Sequence, residues 1–382
     1  LLYIDYTNSI SYNGVKYHGG GNYTRYIIGL ISNNLDKSNS VTVLIPNGYI
    51  LSDTEINLFR GVNIKEVGGG GFSSLSFSDS DTIFFPLLNL RRLSLAREIR
   101  NKNNDIKIFV TIHGLRILDL KPDVYDQYYG SNYIKDLALY PFKCLGTRYL
   151  LTKNLKYFDR VFTDSNYALK QITNIVPNCN VKNFYLGIPS VENIIGKKSN
   201  SEDFLLFVSG GRAEKNLVRG VEGFISYIKE NDEKLLLKVT GVNEHLIEKI
   251  KLKLSDKDKS IFEKNVICLG YVSEHELNNL YSEAYALFYL SKSEGFGLPL
   301  LEAAVRGTPT LASYSSSIPE VLGSACHYIN AMNIEEISKG IEYIRKEPNY
   351  RQLLSLTLEK KEVLLKNSEV EMRFFINQLM ME

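Results

Sequence analysis

Glu294 and Glu302 lie within the run Ser-Lys-Ser-Glu-Gly-Phe-Gly-Leu-Pro-Leu-Leu-Glu-Ala-Ala-Val-Arg-Gly-Thr-Pro, residues 291–309. An ionised carboxylate accepts hydrogen bonds and donates none, so each suits a pair of vicinal hydroxyls such as a ribose or a hexose presents. Gly295 and Gly297 let a backbone turn approach a ligand closely. Pro299 suits the opening of a helix and Gly307 its C-terminal cap, while Pro309 stops continuation, so a helix is predicted over about Pro299 to Arg306. Its N-terminus presents unpaired N–H groups and the positive end of the helix dipole, which favour an anion. A sugar nucleotide offers both kinds of group.

A second constellation runs from Phe207 to Leu217, Phe-Val-Ser-Gly-Gly-Arg-Ala-Glu-Lys-Asn-Leu. Gly210 and Gly211 end a strand, and Arg212 and Lys215 project from the loop that opens the next helix. Two fixed cations there suit a diphosphate and stabilise it as a leaving group when charge develops on it. His113 closes the strand pattern Ile106 to His113 and precedes Gly114. That is the sheet edge where open α/β folds bind ligands, although a lone histidine also serves structure. The run Phe-Thr-Asp-Ser-Asn-Tyr, Phe162 to Tyr167, reads as a strand end followed by helix-capping residues. Gly19-Gly20-Gly21 precedes an amphipathic pattern from about Asn22 to Leu35, but G-x-G-x-x-G is absent and the loop before it is too long for a Rossmann turn, which weakens a dehydrogenase reading.

The Glu, seven residues, Glu arrangement in EGFGLPLLEA resembles the signature of glycosyltransferase family 4. The resemblance spans roughly residues 105–325 and implies a retaining enzyme of GT-B fold, with two Rossmann-like domains whose parallel sheets face a central cleft. It implies that Glu294 contacts the donor sugar near the reacting centre and that Glu302 binds the nucleotide ribose. The amides of Phe296, Gly297 and Leu298, beside Gly295, would hold sugar hydroxyls and phosphate. Gly211, Arg212 and Lys215 resemble the family's diphosphate-binding Gly-Arg…Lys-Asn segment, and His113 would lie near the donor sugar. The loop at Gly20 and Gly21 would close over acceptor and phosphates, and Tyr271 falls in the segment flanking the base. Neither cofactor nor metal is implied, because such folds usually set basic residues where a divalent ion would stand. Leu290, where proline is common, and Ser324, where aspartate is common, depart from the pattern without touching this chemistry.

A chain of 382 residues suggests two domains. Strand patterns at Leu1–Tyr6, Val41–Pro46, Thr82–Pro86, Ile106–His113, Arg160–Asp164 and Val181–Leu186 predict one parallel α/β sheet. A second is predicted from Phe204–Ser209, Leu235–Thr240, Asn265–Leu269, Ala284–Leu290 and Thr308–Ser313, with a helix from Leu217 to Lys229. The expected division is 1–188, an acceptor-binding domain, and 189–365, a donor-binding domain, with the linker near Gly187–Glu202. A final helical stretch, Arg351 to Met381, is long enough for residues from about 366 to 382 to return to the first domain.

Composition is that of an ordinary globular protein, 44% hydrophobic and 23% charged, with no run apolar enough to span a membrane. Residues 1–186 hold 21 Lys and Arg against 15 Asp and Glu, a net +6 in a chain of +2, so the front half is the better match for an anionic partner. Cys144, Cys179, Cys268 and Cys326 lie far apart without metal spacing, which fits a reducing cytoplasm and gives no zinc site. The expected partners are a UDP- or GDP-linked sugar donor and a glycan or lipid-linked acceptor, with no nucleic acid. Arg91, Arg92, Arg97, Arg100 and Lys102, mixed with Leu88, Leu95 and Ile99, form a candidate for peripheral contact with the inner face of a membrane, or a solvated helix face. Other readings of the same residues are a sugar-nucleotide hydrolase or epimerase, a phosphorylase and an inactive binding subunit.

Overall fold

The computed structural model describes residues 1–10, 19–34, 40–68, 72, 75–103, 105–184, 203–231 and 233–380. The expected linker at Gly187–Glu202 lies outside the described residues.

Among those residues the chain forms two parallel sheets. The first comprises β1 (Leu2–Asp5), β2 (Val41–Pro46), β3 (Asn63–Val67), β4 (Thr82–Phe85), β5 (Lys107–Thr111), β6 (Arg160–Thr163) and β7 (Val181–Asn183), in the order β3-β2-β1-β4-β5-β6-β7. The second comprises β8 (Phe204–Phe207), β9 (Leu236–Thr240), β10 (Val266–Gly270), β11 (Ala286–Tyr289), β12 (Thr310–Ser313) and β13 (His327–Ile329), in the order β10-β9-β8-β11-β12-β13. Each sheet has its topological switch at a central pair, β1 beside β4 and β8 beside β11. The central strands read Thr-Ile-Phe-Phe, Phe-Leu-Leu-Phe and Ala-Leu-Phe-Tyr and are buried throughout, as strands covered on both faces must be.

Two strands had no counterpart in the sequence pattern. β3 is an edge strand, Asn-Ile-Lys-Glu-Val, exposed at four of its five positions, so no apolar run marks it. β13 has three residues, too short for periodicity to register. The helix expected from Asn22 begins at Gly19, so Gly20 and Gly21 lie in its first turn and not in a loop before it.

The chain divides into two compact units, one of Leu1–Leu115, Lys143–Pro189 and Ser368–Glu382, the other of Arg116–Phe142 and Ser190–Asn367. Arg116–Phe142 therefore groups with the second unit, whereas the sequence division at 188 placed it in the first. The cause is a set of polar ties. Arg219 makes two bonds to Asp123, at 2.5 and 2.8 Å, and Lys292 pairs with Asp126 at 2.6 Å. The Tyr125 hydroxyl donates to Glu222 at 2.6 Å and the Ser293 hydroxyl to Asp119 at 2.8 Å.

The last helix, Glu347–Met380, is continuous, and its final turns belong to the first unit. There Phe375 stacks on Phe184 at 4.0 Å between centroids and meets the edge of Phe162 at 5.0 Å, while Gln378 accepts from Arg160. Leu88, Leu95 and Ile99 are buried, so the Arg91–Lys102 segment spends its apolar side chains on the core and shows solvent mainly its charges. Of the two readings of this segment, that arrangement fits the solvated helix face.

Candidate functional site

The loops after β8 and β11 meet at the switch point of the second sheet, where open α/β sheets bind their ligands. Each carries one half of the sequence-predicted chemistry. The Lys215 ammonium, 3% exposed on the first loop, is paired with Glu294 Oε1 on the second, and it also reaches the Tyr289 hydroxyl at 3.1 Å. The Ser291 hydroxyl donates to the same Glu294 oxygen at 2.6 Å.

Burial opposes ionisation of Glu294, but the charges of Lys215 and Arg116, with the hydrogen bonds from Lys215 and Ser291, outweigh it and hold the carboxyl at about 2. Glu294 is therefore a carboxylate, an acceptor only. Burial pulls the Lys215 ammonium below its ordinary value; Glu294 opposes this, and Arg212 and Arg116 add to it.

Glu302 sits one helical turn inside the helix Leu298–Val305, half-buried, and accepts from the Tyr281 hydroxyl at 2.7 Å. Burial pushes its carboxyl up against the pull of Tyr281 and Arg306. The helix starts one residue earlier than the sequence suggested. Its N-cap is Gly297 at φ 104°, a left-handed conformation, and a Cβ there would approach Leu300 Cδ1 to 2.9 Å. Glycine offers no capping side chain, so no side-chain bond from the N-cap competes with a ligand at this helix end.

The turn between the two glutamates is fixed by hydroxyls. Ser317 donates to the carbonyls of Glu294 and Phe296 at 3.0 and 3.1 Å, Ser315 to that of Lys292 at 2.9 Å, and Ser313 to that of Ser291 at 2.6 Å. The Glu294 amide in turn donates to Ser316 at 2.7 Å. With those carbonyls satisfied, the turn is set before any ligand arrives.

Arg212 is half-exposed and lies 3.5 Å from Glu214, whose same oxygen accepts from Arg116 at 3.1 Å. Arg116, Arg212 and Lys215 thus form a cationic group around the loop after β8. Sequence reasoning missed Arg116, because it assigned that stretch to the first domain; the acidic residues Asp119, Asp123 and Asp126 that follow it were the available signal.

Gly211 has a packing role. Its amide donates to the Gly241 carbonyl at 2.8 Å, and a Cβ would collide with that oxygen. Its N–H is therefore committed within the fold. Gly211→Ala is expected to cost about 1–3 kcal/mol, measured by urea unfolding, with loss of activity following loss of fold. Tyr271 is largely exposed, on the loop after β10.

His113 belongs to the first unit. Nδ1 lies 2.7 Å from Asp164 and Nε2 2.9 Å from the Pro86 carbonyl after β4, while Tyr23 meets the ring edge-on at 4.5 Å. The ring is thus fixed by its own unit. Ser165, fully buried, caps the helix Asn166–Ile175 by accepting from the Ala168 amide at 3.1 Å, which accounts for it structurally.

Residues 191–357 match the family described as "Glycosyl transferases group 1". The chain is 29% identical over 248 residues to the O-antigen chain mannosyltransferase RfbU of Salmonella typhimurium, covering 63% of this chain and 61% of that protein. It is 38% identical over 85 residues to O-antigen chain mannosyltransferase B of Escherichia coli, 22% of each chain. The match therefore spans less than two thirds of these relatives. Among solved structures, sucrose-phosphate synthase from Thermosynechococcus elongatus superimposes with a TM-score of 0.70 at 13% identity, covering 99% of this chain and 98% of that one. An α,α-trehalose-phosphate synthase from Burkholderia xenovorans gives 0.67 at 12%, covering 99% of each chain. The fold is GT-B, with two Rossmann-like domains of parallel sheet.

Proposed function

We propose that this protein is a retaining, metal-independent glycosyltransferase that moves a hexose-type sugar from a UDP- or GDP-linked donor to a glycan or lipid-linked acceptor in cell-surface polysaccharide synthesis. The observation that carries the reading is the buried Lys215–Glu294 pair at the β8/β11 switch, flanked by an uncapped helix N-terminus and Glu302. It lies inside the segment that matches the glycosyl transferase family. The names of the two mannosyltransferase relatives make mannose the first sugar to try.

In this reading Glu302 takes the ribose hydroxyls, and Arg212, Lys215 and Arg116 take the diphosphate. Glu294 and the turn at Gly295, Phe296, Gly297 and Leu298 address the sugar. Donor diphosphate entering the site competes with Glu294 for Lys215, and the ammonium is already desolvated, so the new bonds form in a low-dielectric setting. As the glycosidic bond breaks, the pair of electrons goes to the leaving diphosphate, and the fixed cations stabilise the charge that develops there. The departing phosphate oxygen takes the acceptor hydroxyl proton on the same face, giving retention without a carboxylate nucleophile. Acceptor recognition is assigned to the first unit; there His113 is assigned to the donor sugar, and the helical turn at Gly20 and Gly21 to acceptor and phosphates. The reaction takes place in the cytoplasm.

The test is donor turnover with and without an oligosaccharide acceptor, followed by NMR of the product's anomeric proton. Nucleotide diphosphate release that depends on acceptor, with retained configuration, is the expected result. Equal donor consumption in both arms would instead make the protein a hydrolase, and an inverted product would remove the front-face mechanism.

A further inference from the structure

Tyr289 is the last residue of β11 and is buried, so its ring is spent on the core and its hydroxyl reaches the strand end where the site lies. The hydroxyl is 3.1 Å from the Lys215 ammonium, which also lies over the ring at 4.9 Å from its centroid. A Cβ on Gly297 would stand 3.7 Å from the same hydroxyl, so it also lies beneath the N-cap of the helix Leu298–Val305.

A phenol has one proton to give and lone pairs that accept. Burial above all, then the charge of Glu294 and a hydrogen bond to it, push this phenol well above its ordinary value, so the proton stays on and goes to the Glu294 carboxylate. The oxygen in turn accepts from Lys215. Among the described residues the ammonium makes two hydrogen bonds, to Glu294 and Tyr289, which leaves one of its N–H groups for a ligand. Glu302 has a buried tyrosine donor of its own, Tyr281 at 2.7 Å, but that hydroxyl meets no cation of the diphosphate group.

We propose that Tyr289 is a positioning residue for the donor, whose hydroxyl holds the Lys215 ammonium and the Glu294 carboxylate in place while the donor diphosphate draws the cation away from the carboxylate. As the diphosphate takes the ammonium, the bond between Lys215 and Glu294 weakens, and a buried carboxylate stripped of its cation is costly. The Tyr289 proton stays on that carboxylate and its lone pair stays on the ammonium, so both groups remain compensated through the exchange. This inference deepens the proposed function and rests on it.

Calorimetric titration of the full chain with UDP and with GDP tests it, in wild type and in Tyr289→Phe, which keeps the ring and removes the hydroxyl. The variant is expected to bind diphosphate about tenfold more weakly at neutral pH. The charges that face the ammonium are Glu294 and Glu302 against Arg212 and Arg116, and all of them remain in the variant. Burial already pulls the ammonium below its ordinary value. Without the tyrosine oxygen to accept from it, the charged form loses further ground, so titration from about pH 7 to about pH 10 should show affinity falling at lower pH than in wild type. A hydroxyl that served the fold alone would lower the melting temperature of the unliganded protein and leave affinity and its pH dependence as in wild type, and that result overturns the proposal. Weaker binding with an unmoved pH dependence overturns it as well. If wild type binds neither diphosphate, the donor-site reading falls and this inference with it, whereas wild-type binding that Tyr289→Phe matches removes the inference alone.

Discussion

Lys215→Ala is expected to lower transfer about 10³-fold and, unlike an ordinary catalytic deletion, to destabilise the second unit as well. Both effects come from one contact. The ammonium is buried against Glu294 and Tyr289, so its removal strips the proposed diphosphate site of its desolvated cation and leaves the Glu294 carboxylate buried without its partner. Breaking a buried pair by deleting one member costs about 3–5 kcal/mol, which corresponds to a fall in Tm on the order of 10 °C. The two effects separate in Lys215→Met/Glu294→Gln, where both charges are gone. That variant should recover most of the stability and none of the turnover. Recovery of turnover along with stability would mean that Lys215 acts only as a counterion to Glu294.

Glu302→Ala should have a different profile, a large loss in donor binding at a smaller cost in stability than Lys215→Ala. Its carboxylate is half-buried, burial disfavours its charge, and its side-chain bond is from Tyr281. Deleting it relieves that burial but leaves the hydroxyl of the fully buried Tyr281 without this acceptor, a cost of about 1–3 kcal/mol. If it holds the ribose, two charge-assisted bonds are lost, and nucleotide diphosphate affinity should fall about 100-fold, equivalent to about 2.7 kcal/mol. Calorimetric titration of wild type and variant measures this directly. Unchanged affinity would remove Glu302 from the nucleotide site.

The contrast between these residues shows what the sequence could disclose. Proline at one helix end and glycine at the other located the helix Leu298–Val305 to within one residue, because both act through local backbone geometry. The buried strands were visible for a similar reason, since β8 and β11 are continuous hydrophobic runs and β4 is one after Thr82. β3 and β13 were not, being respectively exposed and short.

Spacing also brought out Glu294, Glu302, Arg212 and Lys215, but not what they do to one another. That Lys215 is buried and committed to Glu294 depends on β8 and β11 being neighbours, a long-range pairing no local pattern encodes. Arg116 was missed for the same reason. The residues before it belong to the first unit, and ties across long sequence separations, such as those from Asp123 and Asp126 to Arg219 and Lys292, group its segment with the second. Gly211 carries the reverse lesson: the family resemblance gave it a ligand role, whereas the Gly241 carbonyl supplies a packing reason for glycine.

The central claim is that the loops after β8 and β11 hold a nucleotide diphosphate sugar. Thermal unfolding of the wild-type protein in a panel of UDP- and GDP-sugars and the free diphosphates tests it most directly. At ligand concentrations about 100 times Kd the account predicts stabilisation of about 2.7 kcal/mol, selective for one base and absent in Lys215→Ala. A melting temperature that no nucleotide diphosphate in either series raises would contradict it.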